Sequence, residues 1–282
     1  MKASTEALGD FLDAASSVAV LTGAGVSTGS GIPDYRDRNG DWKHAQPMQF
    51  HEFAGSGVAR QRYWARSYVG WRRFGRAEPN AAHRALAKLE SEGKVDTLIT
   101  QNVDRLHSRA GSRRVIDLHG DLGVVVCLAC GEEDSRINFQ NRLADANVGW
   151  HAEVFRYKPD GDAELAEKSH LEFSVPGCRR CDGVLKPDVV MFGESVPKAR
   201  VSDAMAAVER SDALLVVGSS LMVFSGFRFA KRACELKKPI GIVNRGKTRA
   251  DELATTKIDS DCRQVLDEAA RALSNRETSR VG

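Results

Sequence analysis

No apolar run in this chain of 282 residues approaches the roughly 20 positions a membrane helix needs, so no spanning segment is expected. An excess of one charge is also missing. The 41 basic and 38 acidic residues leave a net +3, which implies neither a nucleic-acid nor a membrane partner. Internal repeats and low-complexity tracts are absent. Residues 1–17 have neither the apolar core of a signal peptide nor the acid-poor composition of a transit peptide, because Glu6, Asp10 and Asp13 fall among helix-spaced apolar residues. The chain is therefore expected in the cytoplasm. There its six cysteines point to metal or thiol chemistry before disulfides.

What is present begins with a glycine-rich segment, residues 23–36, directly after the apolar run 17–21. Without Cβ atoms the backbone can take positive φ and bring its N–H groups against a pyrophosphate, as dinucleotide-binding loops do after a buried strand. The third glycine of the Gly-x-Gly-x-x-Gly fingerprint is here Thr28, and the polar run to Asp41 holds no second strand ending in an acid. A hydride-transferring dehydrogenase needs that acid for the adenine ribose. The dehydrogenase reading weakens accordingly, and the nucleotide is expected to be consumed as a substrate.

Along the chain, helical and strand patterns alternate. Residues 3–15 have helical spacing and 18–21 form a short buried strand. Residues 50–74, with Trp64, Trp71 and Phe74, read as a helical lid or subdomain. A helix opens at Pro79-Asn80 and is ended by Gly93. The strand 95–100 runs into Gln101-Asn102-Val103-Asp104, and the strand 213–217, after a helix over 197–210, ends in Gly218-Ser219-Ser220. A further helix, 227–236, precedes the strand 240–243 and its Asn244-Arg245-Gly246. This alternation predicts an α/β fold, a doubly wound parallel sheet with helices on both faces, and the polar groups at the carboxyl strand ends are where such sheets place ligands. From Cys127 to Cys181 the pattern is irregular and polar, which suggests a separate small module.

Cys127-Leu128-Ala129-Cys130 and Cys178-Arg179-Arg180-Cys181 are two Cys-x-x-Cys turns, together a full tetrahedral thiolate shell for one Zn2+. Four sulfur ligands leave no open position, so the site should hold a module together and do no Lewis-acid chemistry. The separation between the pairs requires an insertion, placed at residues 157–167, that loops out.

Gly-Ala-Gly-Val-Ser, Gly-Ile-Pro-Asp-Tyr-Arg, Gln-Asn-Val-Asp-Arg-Leu-His, Leu-His-Gly at 118–120, the paired cysteines, Lys-Pro-Asp-Val-Val-Met-Phe-Gly-Glu and Gly-Ser-Ser-Leu follow in that order. With them the chain resembles the sirtuins, NAD-dependent protein-lysine deacylases. The resemblance implies a Rossmann-like NAD domain built from residues 1–44, 79–125 and 186–282, a helical part of a small domain at 45–78, and a zinc-ribbon module at 126–185. Substrate, an acyl-lysine protein or peptide, would lie in the cleft between them. It also implies the reaction: the acyl oxygen attacks the ribose carbon bearing nicotinamide, nicotinamide leaves, and a histidine activates a ribose hydroxyl that carries the acyl group off as O-acyl-ADP-ribose. His119 would be that base, suited by an imidazole pKa of about 6.5.

By the same resemblance, Asn102 and Asp104 would hold the nicotinamide ribose and carboxamide. Contacts to NAD would come from Gly23, Ala24, Gly25, Ser27 and Thr28, from Ile32, Pro33, Asp34, Tyr35 and Arg36, and from Gln101 and Val103. Gly218, Ser219 and Ser220 would meet phosphate, while Asn244, Arg245, Gly246 and Cys262 would border the adenosine. Val190, Met191, Phe192, Gly193 and Glu194 resemble the family's substrate-pairing strand, to which a peptide adds through main-chain bonds.

Residues 61–71 resemble the class II branch, whose mitochondrial members are associated with lipoamidase and ADP-ribosyltransferase activities. Tyr63 and Arg66 share the Tyr-x-x-Arg spacing that acidic-acyl removing sirtuins use, and on a helix both would face one anion. Arg66 could equally salt-bridge locally. Simple deacetylation, acidic deacylation and lipoyl removal all remain open, with protein mono-ADP-ribosylation as an alternative use of the same NAD site.

Overall fold

The structure, a computed structural model, describes residues 2–43, 45–166 and 169–281. In chain order its strands are β1 (Val18–Thr22), β2 (Val95–Thr100), β3 (Val115–Asp117), β4 (Gly120–Cys127), β5 (Glu133–Ser135), β6 (Val154–Tyr157), β7 (Ala163–Leu165), β8 (Leu185–Val189), β9 (Ala213–Val217), β10 (Ile240–Val243) and β11 (Thr256–Ile258). The helices are α1 (Lys2–Asp13), α2 (Phe50–Gly55), α3 (Gly57–Phe74), α4 (Ala81–Ser91), α5 (Leu106–Arg109), α6 (Arg136–Ala146), α7 (Lys198–Arg210), α8 (Phe224–Glu235) and α9 (Cys262–Val281). None of the described helices is long and apolar enough to cross a membrane.

Six strands form one parallel sheet in the order β11-β10-β9-β1-β2-β3. Its central strands are buried on both faces, which is why β1 and β9 read as unbroken apolar runs. Alternate residues divide between the two faces. Val18, Val20 and Leu215 pack with α1, α4 and α9, while Ala19, Leu21 and Leu214 pack with α7 and α8. The sheet is therefore doubly wound, as the sequence predicts. The order reverses at β1, with β2 on one side and β9 on the other, so the carboxyl ends of these strands open onto a switch-point crevice.

A second sheet, β5-β4-β8, is antiparallel and shares a core with α3 and α6, where Trp64, Phe139 and Phe173 are fully buried. Two sequence expectations for this region fail. Part of the supposedly irregular stretch is a regular helix, α6, capped by Ser135 and burying Arg136, Phe139 and Leu143. The insertion does not loop out either: β6 and β7 pair as a hairpin that docks on α3. Its turn carries Gly161 at φ +70°, whose carbonyl lies so close to Gly70 of α3 that a Cβ there would collide with it. The last position placed in that insertion, Glu167, lies outside the described residues.

Candidate functional site

The loops after β1, β2, β9 and β10 enclose a cavity of about 860 Å³. Two glycine turns interlock at its floor. The Gly25 N–H donates to the Gly218 carbonyl at 2.8 Å, and a Cβ on Gly25 would sit 2.8 Å from that oxygen. Gly218 itself has φ +58°, the left-handed region that glycine takes without strain. The segment after β1 is a 3-10 turn, Ala24–Ser30, which starts at the carboxyl end of a buried strand and puts Ala24, Gly25 and Ser27 on the cavity wall.

Around this floor a polar network fixes the side chains at the end of β2. Ser27 Oγ donates to Asp104 Oδ2 at 2.6 Å and accepts from Asn102 Nδ2 at 3.0 Å, while Asn102 Nδ2 also reaches the Gly23 carbonyl at 3.1 Å. Asp104 Oδ1 accepts from the Leu106 N–H at 3.0 Å. Burial raises the Asp104 carboxyl above its usual range, with the Ser27 hydroxyl opposing. Gln101 donates to Ser219 Oγ at 2.8 Å, tying the β2 end to the β9 turn.

His119 stands between β3 and β4, and both ring nitrogens are engaged: Nδ1 with the Gln101 carbonyl at 3.0 Å and Nε2 with Ser225 Oγ at 2.8 Å. A carbonyl can only accept, so the proton is on Nδ1, and Nε2 carries a lone pair that accepts from the Ser225 hydroxyl. Burial above all lowers the imidazole pKa to about 4; the Gln101 carbonyl opposes, and the positive charges of Arg228 and Arg200 add to the lowering. The ring is thus a neutral base aimed into the cavity, held from behind by backbone.

Residues 23–225 match the sequence pattern of the Sir2 family. The chain belongs to the Sir2 family. It is 56% identical to the NAD-dependent protein deacetylase of Xanthomonas axonopodis pv. citri (strain 306), over 92% of this chain and 88% of that one. It is 48% identical to the NAD-dependent protein deacylase Sirt4 of Drosophila melanogaster, over 92% and 84%. Among solved structures it resembles a Sir2 complex with p53 peptide and NAD+, at 30% identity and TM-score 0.73, covering 95% of this chain and 96% of that one.

Within this sirtuin the cavity wall brings together most of the anticipated residues: Gly23, Ala24, Gly25, Ser27, Ile32, Asp34, Tyr35 and Arg36, Gln101 to Asp104, His119, Gly218 to Ser220, Asn244 and Arg245. Thr28, Pro33, Gly246 and Cys262 are not on it. The exposed Thr28 folds back on the Gly25 carbonyl at 3.0 Å, and the buried Cys262 thiol reaches that same carbonyl at 3.9 Å from beneath the loop. Val190 to Glu194 line the cavity, but the strand ends at Val189. Beyond it Phe192 makes a single bridge to Gln49, and Gly193 turns the chain at φ +80°. The Val190 N–H is already given to the His119 carbonyl and the Phe192 carbonyl to the Phe50 N–H.

Tyr63 and Arg66 both line the far end of the cavity, as their spacing on α3 requires. Arg66, however, is engaged. Its Nη2 lies 2.7 Å from Asp162 Oδ2 and its Nε donates to Asp162 Oδ1 at 3.1 Å and to the Ala163 carbonyl at 3.0 Å. Asp160 faces the same end with a buried Oδ1 that has no partner. Burial raises both carboxyls, and the Arg66 guanidinium opposes. Of the two sequence readings of Arg66, the local ion pair is the one realised.

Sequence reasoning missed Trp42, Asp160, Asp162, Ser225 and Arg228 on the wall. Trp42 joins Tyr35 and Phe192 in an edge-to-face cluster, and the Arg36 guanidinium lies 3.7 Å over its ring. The one available signal was Asp160-Gly161-Asp162, a turn tripeptide too polar for a simple connection.

The four sulfurs of Cys127, Cys130, Cys178 and Cys181 lie within 4.8 Å of one another, with Cys127–Cys181 at 3.5 Å and Cys130–Cys178 at 3.7 Å. A tetrahedron of Zn–S bonds near 2.3 Å has sulfur separations of roughly 3.8 Å, so the cluster fits a structural zinc ion. β4 runs from beside His119 out to Cys127, and its ends pair with Val189 and Leu185, four residues apart on β8, a span of roughly 13 Å. The ion would hold the small sheet together, remote from the base.

Proposed function

We propose that this sirtuin removes acyl groups from protein lysine side chains, consuming NAD as co-substrate and producing nicotinamide and O-acyl-ADP-ribose. The observation that carries the reading is His119, a neutral imidazole on the wall of the same cavity as the interlocked glycine turns, whose Nε2 lone pair is held only by the Ser225 hydroxyl. In this reading the Gly23–Gly25 and Gly218–Ser220 turns take the pyrophosphate, while Asn102, Asp104 and Ser27 hold the nicotinamide ribose by short directional bonds. His119 Nε2 then gives up the Ser225 hydroxyl and accepts a proton from a ribose hydroxyl, which attacks the acyl carbon.

Within that activity we place the chain in the class II branch, supported by its 48% identity to a Sirt4 deacylase and by residues 61–71. Because Arg66 is paired to Asp162, neutral acyl groups such as acetyl or lipoyl suit the far end of the cavity better than carboxylated ones. Purified protein incubated with NAD and a panel of acyl-lysine peptides tests both levels. Nicotinamide release that depends on acyl peptide, with O-acyl-ADP-ribose formed, is the expected result. Transfer of label from NAD onto protein without any acyl peptide would instead establish mono-ADP-ribosylation and overturn the reading.

A further inference from the structure

Ser225 and Arg228 are three residues apart on α8 and so share one face of it. Ser225 meets the base directly, and Arg228 lines the same cavity. The other arginines on the wall are spoken for. Arg36 donates to the Gly40 carbonyl at 3.0 Å and stacks on Trp42, Arg66 is bound to Asp162, and Arg245 lies 3.1 Å from Asp261. Arg228 makes neither an ion pair nor a hydrogen bond among the described residues. Its Nε is sealed from solvent without an acceptor, and its guanidinium carbon lies 5.3 Å from the ring centre of Phe224.

A buried guanidinium donor left without an acceptor is costly, and proteins keep such groups where a ligand completes them. The surroundings do not supply the missing anion. Asp188 is paired to Arg200 at 3.1 Å and Glu194 to Lys186 at 3.0 Å, while Lys198 of α7, also on the wall, has no carboxylate partner among the described residues. The wall formed by α7 and α8 therefore presents uncompensated positive charge beside the base.

The occupant follows from what must be near. The inference rests on the deacylase reading, in which the acyl carbonyl of the modified lysine comes within reach of His119. A group one side chain away on the α7 and α8 side then belongs to the polypeptide that carries the lysine, since the acyl chain runs toward Tyr63 and the pyrophosphate has the two glycine turns. We propose that Arg228 is a specificity residue that binds a carboxylate of the protein substrate, carried by an Asp or Glu within two positions of the acylated lysine. A planar guanidinium and a carboxylate match in a two-bond fork, and the half-buried setting screens that bond less than open solvent does.

The test uses acetyl-lysine peptides identical except at the two flanking positions on each side, which are Asp, Asn or Lys. With the intact enzyme, kcat/KM for the best-placed Asp peptide should exceed that of its Asn counterpart about tenfold, mainly through KM, and Lys should be poorest. Arg228→Gln should bring the Asp-to-Asn ratio to about one, and Arg228→Lys should keep part of it. A folding defect lowers both rates and leaves the ratio unchanged, so the ratio reports recognition alone. A ratio of one in the intact enzyme overturns the proposal. So does an Arg228→Gln variant that keeps the Asp preference while its KM for NAD rises equally with every peptide, which would assign the guanidinium to the nucleotide. If acetyl peptides are turned over and only the flank preference is missing, the deacylase reading stands and this inference falls; if none is turned over, both fall.

Discussion

His83 provides a stability test whose size can be worked out from its surroundings. The side chain is fully buried at the start of α4, where Nδ1 accepts the Asn80 N–H at 3.2 Å and Nε2 has no partner. Burial, helped by the neighbouring charge of Arg84, lowers its pKa from 6.5 to about 4. The unfolded chain therefore takes up a proton near pH 6.5 that the folded state refuses until about pH 4. The neutral imidazole's contribution to stability is complete above pH 6.5 and is lost as the pH falls through that window. The loss is about 2 kcal/mol at pH 5, with a ceiling of about 3.4 kcal/mol. Asn80 and His83 cap α4 reciprocally, and Asn80 Nδ2 also donates to the Val26 carbonyl at 2.8 Å, so acid strain at His83 reaches the glycine loop. His83→Gln keeps an acceptor at the third helical position, as in a common capping box, and cannot protonate. Urea unfolding at pH 7 and pH 5 should show a fall in stability smaller by about 2 kcal/mol in the variant. Equal falls in the two proteins would refute the argument.

Ser225→Ala removes the donor that stabilises neutral His119, so the imidazole pKa should rise by about 0.7 unit for a bond worth about 1 kcal/mol, moving the acid limb of the kcat/KM profile upward. Asp162→Asn frees Arg66 from its counter-ion; the rate on succinyl-lysine relative to acetyl-lysine peptide should rise about tenfold in a competition assay, and an unchanged ratio would place Arg66 outside acyl recognition. Cys178→Ser breaks the four-thiolate shell, so the protein should lose its one bound zinc per chain, read by atomic absorption, and melt at lower temperature, because the ion's binding energy, on the order of 10 kcal/mol, is folding energy for the small sheet. Full activity in a zinc-free protein with an unaltered melt would contradict a structural role.

The parallel sheet was legible because its strands are buried on both faces and end in polar turns, a pattern local to each segment. The zinc cluster was legible because Cys-x-x-Cys spacing is itself geometry. α6 was not, since its arginine, asparagine and glutamine residues read as solvated surface. Arg136 is in fact wholly buried, with its guanidinium carbon 5.5 Å and 4.9 Å from the ring centres of Trp64 and Trp71 and its Nη2 donating to the Ser67 carbonyl at 3.2 Å. Apart from the Gln140 amide one helical turn on, the groups that surround this charge are tertiary contacts, and no local window contains them.

Arg66 and Arg228 carry the same lesson to the site. Helical spacing places Tyr63 and Arg66 on one face, and there the sequence argument stops, because an arginine's function depends on whether its counter-ion is internal or brought by a ligand. For Arg66 the counter-ion is Asp162, delivered from 96 residues away by a hairpin that reads as a loose insertion. The guanidinium in the recognisable spacing is thus consumed by the fold. Arg228, which sits in no motif, is left with a sealed donor beside the base. Charge recognition in this cavity consequently shifts from the acyl end to the α7 and α8 wall. Two substitutions separate the ends: Asp162→Asn should change which acyl groups are accepted and leave the flank preference intact, and Arg228→Gln should do the reverse. If either substitution moved both preferences together, the two ends would be one coupled site and the assignment of each arginine by its counter-ion would be wrong.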